Sequence, residues 1–448
     1  MGIFRQLQGS AVIASHLRER AVPYWERKKI EARRDRRVSR IVRYAVRNVP
    51  YYRDLFSERG WDARDVRTVE DLRCLPLLDR KQVRQEPKRF LAENAGVTLV
   101  QRTSGSTGTP MEVLHDRNSI LANMAYGERE REVILRLVGE GFRPRELYVG
   151  FNGSNFLKVL EFTAAQARLP VRPRRQAMAM TDPFPDIIAT INEYKPHILT
   201  TYGTFADEMF RRIQSEGLRI ALPRVLIYVG ETLPTSRRLA IEDEFGLAVL
   251  SRYCAVEAFK IAFYCEERTG FHIHDDLCDL QIRRHDGSVA EADETGEIVL
   301  SNLVNRATVL LNYPMGDLGT FRSAPCPCRR NLRLLSQIEG RLEDMIPLPD
   351  GRVLHPRAIW AAFKDDKDVL QYQLTQADLG SFSLRLVTAG QERFAAAASR
   401  ARSKLDSILG AECTVDVNFE SELGRLERTE RGKFRAVRSR VDLPRTVA

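Results

Sequence analysis

The sequence predicts an α/β chain in two parts: a large multi-subdomain N-terminal part built on largely parallel sheets, and a small α+β C-terminal domain. Two observations carry this. From about residue 97 to 300, short apolar runs alternate with longer amphipathic stretches, the pattern of a parallel sheet covered by helices. After the segment IEGRLEDMI the pattern becomes alternating, half-buried strands with a single amphipathic helix. The boundary falls at residues 340–344, giving domains 1–340 and 341–448.

In chain order, residues 1–48 form a basic helical segment, dense in arginine from 15 onward, with Val38, Ile41, Val42 and Ala45 at helical spacing. Pro23 interrupts it, because proline lacks the N–H a helix needs. Such a stretch reads either as a solvated helix packed on the body, the commoner use of a charge run, or as a stripe for nucleic acid or membrane. GVTLVQRT, RELYVGFNG, HILTTYG, RVLIYVG and LAVLSRY read as strands; SILANMAYGEREREVILRLV, FADEMFRRIQSEG and TSRRLAIEDEFG read as helices. Residues 295–322 read as consecutive strands and predict a smaller β subdomain. In the tail, DVLQYQLTQ, SFSLRLVTA and ECTVDVNFE alternate as strands, and QERFAAAASRARSKLDSILG is the helix.

Among 448 residues, 70 Lys and Arg against 60 Asp and Glu leave a formal +10, which admits a polyanionic partner: nucleic acid, an anionic membrane, a nucleotide or coenzyme A. No apolar run reaches the roughly 18 to 20 residues of a membrane span. The first twenty residues lack a sustained apolar core and a small-residue cleavage site, so the expectation is a cytoplasmic protein. Seven scattered cysteines do not make a disulfide framework.

The most informative stretch runs Thr103, Ser104, Gly105, Ser106, Thr107, Gly108, Thr109, Pro110. Glycines let a backbone approach a phosphate closely, and hydroxyls and amide hydrogens donate to its oxygens. No Gly-Lys-Ser/Thr closes it, so it is not a Walker A loop. Taken with IVRYAVRNVPYYRDLF, LRCLPLLDRKQVR, YVGETLPTSRRLAIEDEFG, SRYCAVEAF, GEIVLSNL, YPMGDLG, IEGRLEDMI and RTERGKFRAV, in that order, it resembles the adenylate-forming superfamily, and within it the phenylacetate-coenzyme A ligases and capsule-biosynthesis enzymes. The resemblance runs from about residue 35 to the C-terminus.

That resemblance implies roles. Thr103, Ser104, Gly105, Ser106, Thr107 and Gly108 would hold the ATP phosphates; Gly230 and Glu231 would line the adenine pocket, with Tyr253 beside the nucleotide. Glu257 would bind Mg²⁺, a hard cation suited to carboxylate oxygen. Asp317 would accept from both ribose hydroxyls, Arg341 would support ribose and phosphate, and Glu343 would be the hinge about which the small domain swings. Lys433 would bridge the substrate carboxylate and the α-phosphate, gathering negative charge as pyrophosphate leaves. The implied activity is ATP-dependent conversion of a carboxylic acid, aryl or arylacetic by family habit, to an acyl-adenylate and then a coenzyme A thioester. Phe151, Asn152, Gly153, Ser154 and Asn155, with Tyr253 and Ala255, would form the acid pocket.

Three departures stand out. Val256 replaces the threonine of the family's Tyr-Gly-x-Thr-Glu, YPMGDLG lacks the arginine two residues before Gly-Asp, and Trp360 stands where a glutamate is usual.

Cys265, His272, Cys326 and Cys328 offer three thiolates and an imidazole, a donor set zinc takes in structural sites, and some relatives carry such a zinc. The plainer reading is buried free cysteines and a surface histidine. His274 would share a strand face with His272 and is the alternative ligand. Cys254 has no evident base beside it and reads as pocket lining rather than as a nucleophile. Two other readings stay open: transfer of the acyl group to an amine or hydroxyl, or of AMP to an acceptor; and a non-catalytic protein that holds anions with its arginine-rich segment. Nucleic acid is the less favoured partner, and a homodimer is allowed.

Overall fold

The computed structural model describes residues 2–96, 98–103, 111–139, 143–167, 174–284, 286–341, 345–354, 356–363, 366, 368–388, 390–420 and 435–441. A hairpin of β1 (Thr98–Arg102) and β2 (Glu112–Asp116) comes first. Then follow β3 (Arg145–Gly150), β4 (Arg174–Ala179), β5 (Ile198–Tyr202), β6 (Val225–Val229), β7 (Ala248–Ala255), β8 (Phe259–Tyr264), β9 (Phe271–Ile273), β10 (Cys278–Arg283), β11 (Thr295–Asn302), β12 (Tyr313–Arg322) and β13 (Leu334–Arg341). These eleven make one sheet in the order β10-β11-β12-β13-β9-β8-β7-β6-β5-β3-β4.

The run from β4 to β7 is parallel, and the helices Phe184–Tyr194, Gly203–Ser215 and Thr235–Phe245 connect its strands. The predicted α/β class is the observed one. Central strands such as β6, Val-Leu-Ile-Tyr-Val, are apolar throughout because helices cover both faces. The consecutive strands expected over 295–322 are β11 and β12, and they join this sheet as part of its antiparallel wing. Consecutive β-rich segments look alike in sequence whether their sheet closes on itself or joins a neighbour. The join is narrow, with β13 meeting β9 only at Leu334 opposite His272 and Leu335 opposite Phe271.

At the N-terminus, α1 (Gly2–Leu17) leads through a 3-10 turn holding Pro23 into α2 (Arg27–Asn48). The buried stripe of α2 is Ile30, Arg34, Val38, Ile41, Val42 and Ala45, so the predicted apolar face continues N-terminally into an arginine. Of the other arginines of α2, Arg36, Arg40, Arg43 and Arg47 face solvent, while Arg27, Arg33 and Arg37 turn to buried acids. Between β9 and β10 lie Asp275 and Asp276, and β10 itself carries Asp279, each fully buried. Arg27 Nη1 lies 2.5 Å from Asp275; Arg33 Nε and Arg37 Nη1 each lie 3.1 Å from Asp276; Arg73 Nη2 lies 2.8 Å from Asp279. Arg129 and Arg333 close the network from the body, at 2.7 Å from Asp276 and from Asp275.

A further core gathers Ile346, Leu348, Ile359, Leu374, Leu384, Leu386, Ala401, Leu405 and Val437. It lies between the helix Phe394–Leu409 and a second sheet. Two short strands, β14 (Ile346–Pro347) and β15 (Val353–Leu354), precede β16 (Val369–Asp378), β17 (Ser381–Thr388), β18 (Thr414–Glu420) and β19 (Val437–Ser439). The last four pair in the order β18-β17-β16-β19. The three tail strands and the helix that the sequence predicted are all present.

Candidate active site

In an open parallel sheet, ligands bind beyond the carboxyl ends of the strands. The sequence-predicted residues gather there. Gly230 and Glu231 follow β6, Tyr253 lies near the end of β7, and Glu257 follows it. Gly230 takes φ +72°, and a Cβ there would stand 3.1 Å from the Tyr202 ring, so the turn needs glycine on both counts. Glu231 accepts from the backbone N–H and the hydroxyl of Thr204, which ties the end of β6 to the helix after β5.

The Tyr253 hydroxyl donates to Asp317 Oδ2 at 2.7 Å. In a flat sheet, β7 and β12 would be about 19 Å apart, four spacings of ~4.8 Å. The contact forms because the wing is held to β9 by only two residue pairs and folds back over the end of β7. Asp317 is placed by Gly316, at φ +74°, whose N–H donates to Glu297 at 3.1 Å. Arg341 is its ladder partner on β13.

Glu257 is 8% exposed, and its carbonyl accepts from Asn302 Nδ2 at 2.9 Å. Next to it, the Val256 carbonyl lies 2.7 Å from Nε2 of His115, so that nitrogen carries the proton. Burial holds His115 at about 4, neutral at physiological pH. Phe259 stacks on that imidazole at 3.9 Å and adopts φ +57°, a conformation that costs an aromatic residue about 1–3 kcal/mol. The turn bearing Glu257 is thus held by a buried hydrogen bond and a ring stack. The valine at 256 contributes its carbonyl to this hold, a role independent of side chain.

Of the phosphate loop, Thr103 is described: its N–H donates to Met111 O and its hydroxyl accepts from Met111 N–H, both at 2.9 Å, which closes the base of the hairpin. Ser104, Gly105, Ser106, Thr107 and Gly108, the hinge Glu343, and Lys433 lie outside the described residues. In the expected acid pocket, Phe151 stacks with Tyr202 at 5.3 Å. Asn152 and Gly153 face solvent. Ser154 caps the helix Asn155–Gln166, and Asn155 Nδ2 donates to the Arg102 carbonyl at 3.0 Å, which ties that helix to β1. Cys254 reaches solvent, yet its crowded surroundings push the thiol up to about 11, against nucleophilic use.

Sequence reasoning missed Arg80. Its guanidinium lies against Gly316, where a Cβ would meet Nη1 at 2.5 Å. Burial, then the charge of Glu257, pushes the Tyr313 phenol up to about 12, with Arg80 opposing; the three share one neighbourhood. A cation from the helix Arg80–Gln85 therefore stands beside the Gly-Asp turn whose own arginine is missing. No local signal in LLDRKQVR marks it.

The donor atoms of Cys265, His272, Cys326 and Cys328 lie within 4.8 Å of one another. Cys265 follows β8, His272 is in β9, and Cys326 and Cys328 lie in the turn between β12 and β13. Cys265 Sγ is 3.5 Å from Cys326 Sγ, and His272 Nε2 is 3.2 Å from Cys328 Sγ. The hydrogen bond from Cys265, then His272 and Arg330, hold the Cys328 thiol well below its usual range. His272 is fully buried, against the plainer expectation of a surface histidine. His274, the alternative ligand, is outside the cluster and stacks on Phe263 at 5.1 Å.

No protein-family model matches the chain. In sequence it is similar to the phenylacetate-coenzyme A ligase of Thermus thermophilus, 27% identical over 337 residues that cover 71% of this chain and 72% of that one. The enzyme of the same name from Escherichia coli is 25% identical, with the same coverage. Among solved structures, a 2-hydroxyisobutyryl-CoA ligase with a bound acyl-adenylate aligns with a TM-score of 0.70 at 18% identity, covering 90% of this chain and 88% of the other. The sequence similarity supports an AMP-forming ligase similar to the phenylacetate-coenzyme A ligases, and the fold is the one it shares with that solved acyl-CoA ligase.

Proposed function

We propose that the protein activates an aryl or arylacetic acid with ATP, releases pyrophosphate, and passes the acyl group to coenzyme A. The observation that carries this reading is the Tyr253–Asp317 hydrogen bond at the carboxyl end of the parallel strands, beside a largely buried Glu257. In this reading Asp317 accepts from the ribose hydroxyls while Tyr253 holds its second oxygen, and Gly230 and Glu231 border the adenine. Thr103 and residues 104–108 hold phosphate, with Arg341 and Arg80 adding positive charge. Magnesium fits Glu257, whose carboxylate is a hard oxygen donor; when bound it neutralises charge on the ATP phosphates. Lys433 gathers negative charge at the α-phosphate, and the domain beyond residue 340 swings about Glu343 between the two half-reactions.

Zinc fits the Cys265, His272, Cys326 and Cys328 set as a structural ion: three soft thiolates and one imidazole, mostly buried and mutually close. It would pin the turn between β12 and β13 to β8 and β9, where the wing is otherwise held by two residue pairs. Elemental analysis is expected to find about one zinc per chain by this four-donor argument, and a chelator to lower the unfolding temperature. Metal-free protein of unchanged stability would remove the assignment.

Tyr253→Phe deletes one hydrogen bond worth about 0.5–1.5 kcal/mol and should raise the KM for ATP roughly two- to tenfold, with a smaller effect on the KM for the acid. The overall reading is tested by supplying ATP, magnesium, a panel of aryl and arylacetic acids, and either coenzyme A or amines. Thioester formation is expected, and amide without thioester would overturn the coenzyme A step.

A further inference from the structure

Strand β7 sends successive side chains to opposite faces. Tyr253 goes to Asp317, while Arg252 and Cys254 face the helix Glu128–Val138, where Arg252 pairs with Glu130, itself 3% exposed. Lys260 stands directly opposite Cys254 in the β7–β8 register and brings a second cation to the same chamber. Its ammonium packs against Gly127, the joint between the helices Arg117–Tyr126 and Glu128–Val138, where a Cβ would stand 2.3 Å from Nζ.

The charges here do not balance. Glu130 is engaged by Arg252; Glu128 pairs with Arg131 and Glu146 with Arg175. Among the described residues, none makes a hydrogen bond or ion pair with the Lys260 ammonium, although Glu130 and Glu128 attract it from a distance. His115, Ser119, Asn123, Tyr126 and Phe259 line a narrow cleft with it. Burial, with Arg252 beside it and only partly offset by Glu130, Cys254 and Glu128, holds the Lys260 amine below its usual range. The cleft borders the turn of Glu257, because His115 and Asn302, whose side chains meet the Val256 and Glu257 carbonyls, both line it, so an acid whose carboxylate reaches the α-phosphate can extend toward Lys260.

We infer that Lys260 is a specificity-determining residue, and that the acid this protein activates carries a second anionic group, such as a second carboxylate, that pairs with its ammonium. The inference rests on the adenylation reading and narrows its substrate from simple aryl acids to doubly anionic ones. A simple apolar acid bound beside this cleft would further desolvate the half-buried ammonium and leave it unpaired.

The test pairs each acid with its carboxylated counterpart, phenylacetate with the carboxyphenylacetates and butyrate with glutarate, in acid-dependent pyrophosphate exchange. The wild type is expected to favour the carboxylated member in kcat/KM by on the order of tenfold to a hundredfold. Lys260→Met should erase or reverse that ratio, and Lys260→Arg should keep most of it. The same ratio in wild type and Lys260→Met, or a wild-type preference for the parent acid, would overturn the inference. Calorimetric titration of the same acids reads the lysine apart from the chemistry. If no acid supports exchange, carboxyphenylacetate binding that is lost in Lys260→Met still upholds the site, while equal or absent binding in the wild type refutes it.

Discussion

Asp276→Ala is expected to destabilise the large domain by about 3–5 kcal/mol, the usual loss when one partner of a buried ion pair is removed. Asp276 is fully buried between Arg33, Arg37 and Arg129, and Arg129 donates to it twice, at 2.7 and 3.0 Å. Without the carboxylate, the fully buried Arg129 is left with Glu19 at 3.3 Å and the face of the Tyr126 ring. Asp276→Asn keeps an acceptor and should lose less. The midpoint of chemical unfolding reads both, and an Asp276→Ala midpoint equal to wild type would show that the network carries no stability.

The same network predicts an acid limit. Burial alone would raise the Asp275 carboxyl, but Arg333 and Arg27 outweigh it and bring the group to about 2, from an ordinary value of 3.8. Asp276 is likewise held well below its usual range, burial being outweighed by Arg129, Arg37 and Arg33. Carboxyls depressed in the folded state contribute stability that is present above the unfolded value and lost as pH falls through the folded one. Stability should therefore drop between about pH 4 and pH 2, and Asp276→Asn should flatten that slope.

The second large effect concerns chemistry. Lys433→Ala should reduce acid-dependent pyrophosphate exchange by on the order of a hundredfold to a thousandfold, the range for losing one group that stabilises developing charge. ATP binding should persist, since the nucleotide contacts proposed above, Asp317, Glu257 and the 103–108 stretch, are not in the tail that carries Lys433. Exchange near the wild-type rate would show that the lysine is not the bridging cation.

How much of this was legible in the sequence depended on whether a feature is local. Strands such as β6 and helices such as Phe394–Leu409 are written in their own periodicity. Strand β4, Arg-Arg-Gln-Ala-Met-Ala, was not, because at the sheet's edge it is mostly exposed and carries polar and charged residues. The arginines of α2 showed as a positive stripe, but the aspartates that answer them lie more than two hundred residues away. Among the site residues, the resemblance gathered Gly230, Tyr253, Glu257 and Asp317 around one nucleotide, yet the Tyr253–Asp317 bond follows only from the fold-back of the wing. Arg80 and Lys260 gave no signal, since each matters through a neighbour on another element: Gly316 for the first, Gly127 for the second. The surplus of positive charge, which composition left open to nucleic acid, is in part absorbed internally by Asp275, Asp276 and Asp279.

The central claim is that this protein forms an acyl-adenylate. Incorporation of labelled pyrophosphate into ATP, followed with wild-type protein over a panel of aromatic and carboxylated acids without coenzyme A, tests it most directly. The expected result is exchange that requires both magnesium and an added acid. No exchange with any acid, from folded protein that binds ATP, would contradict it.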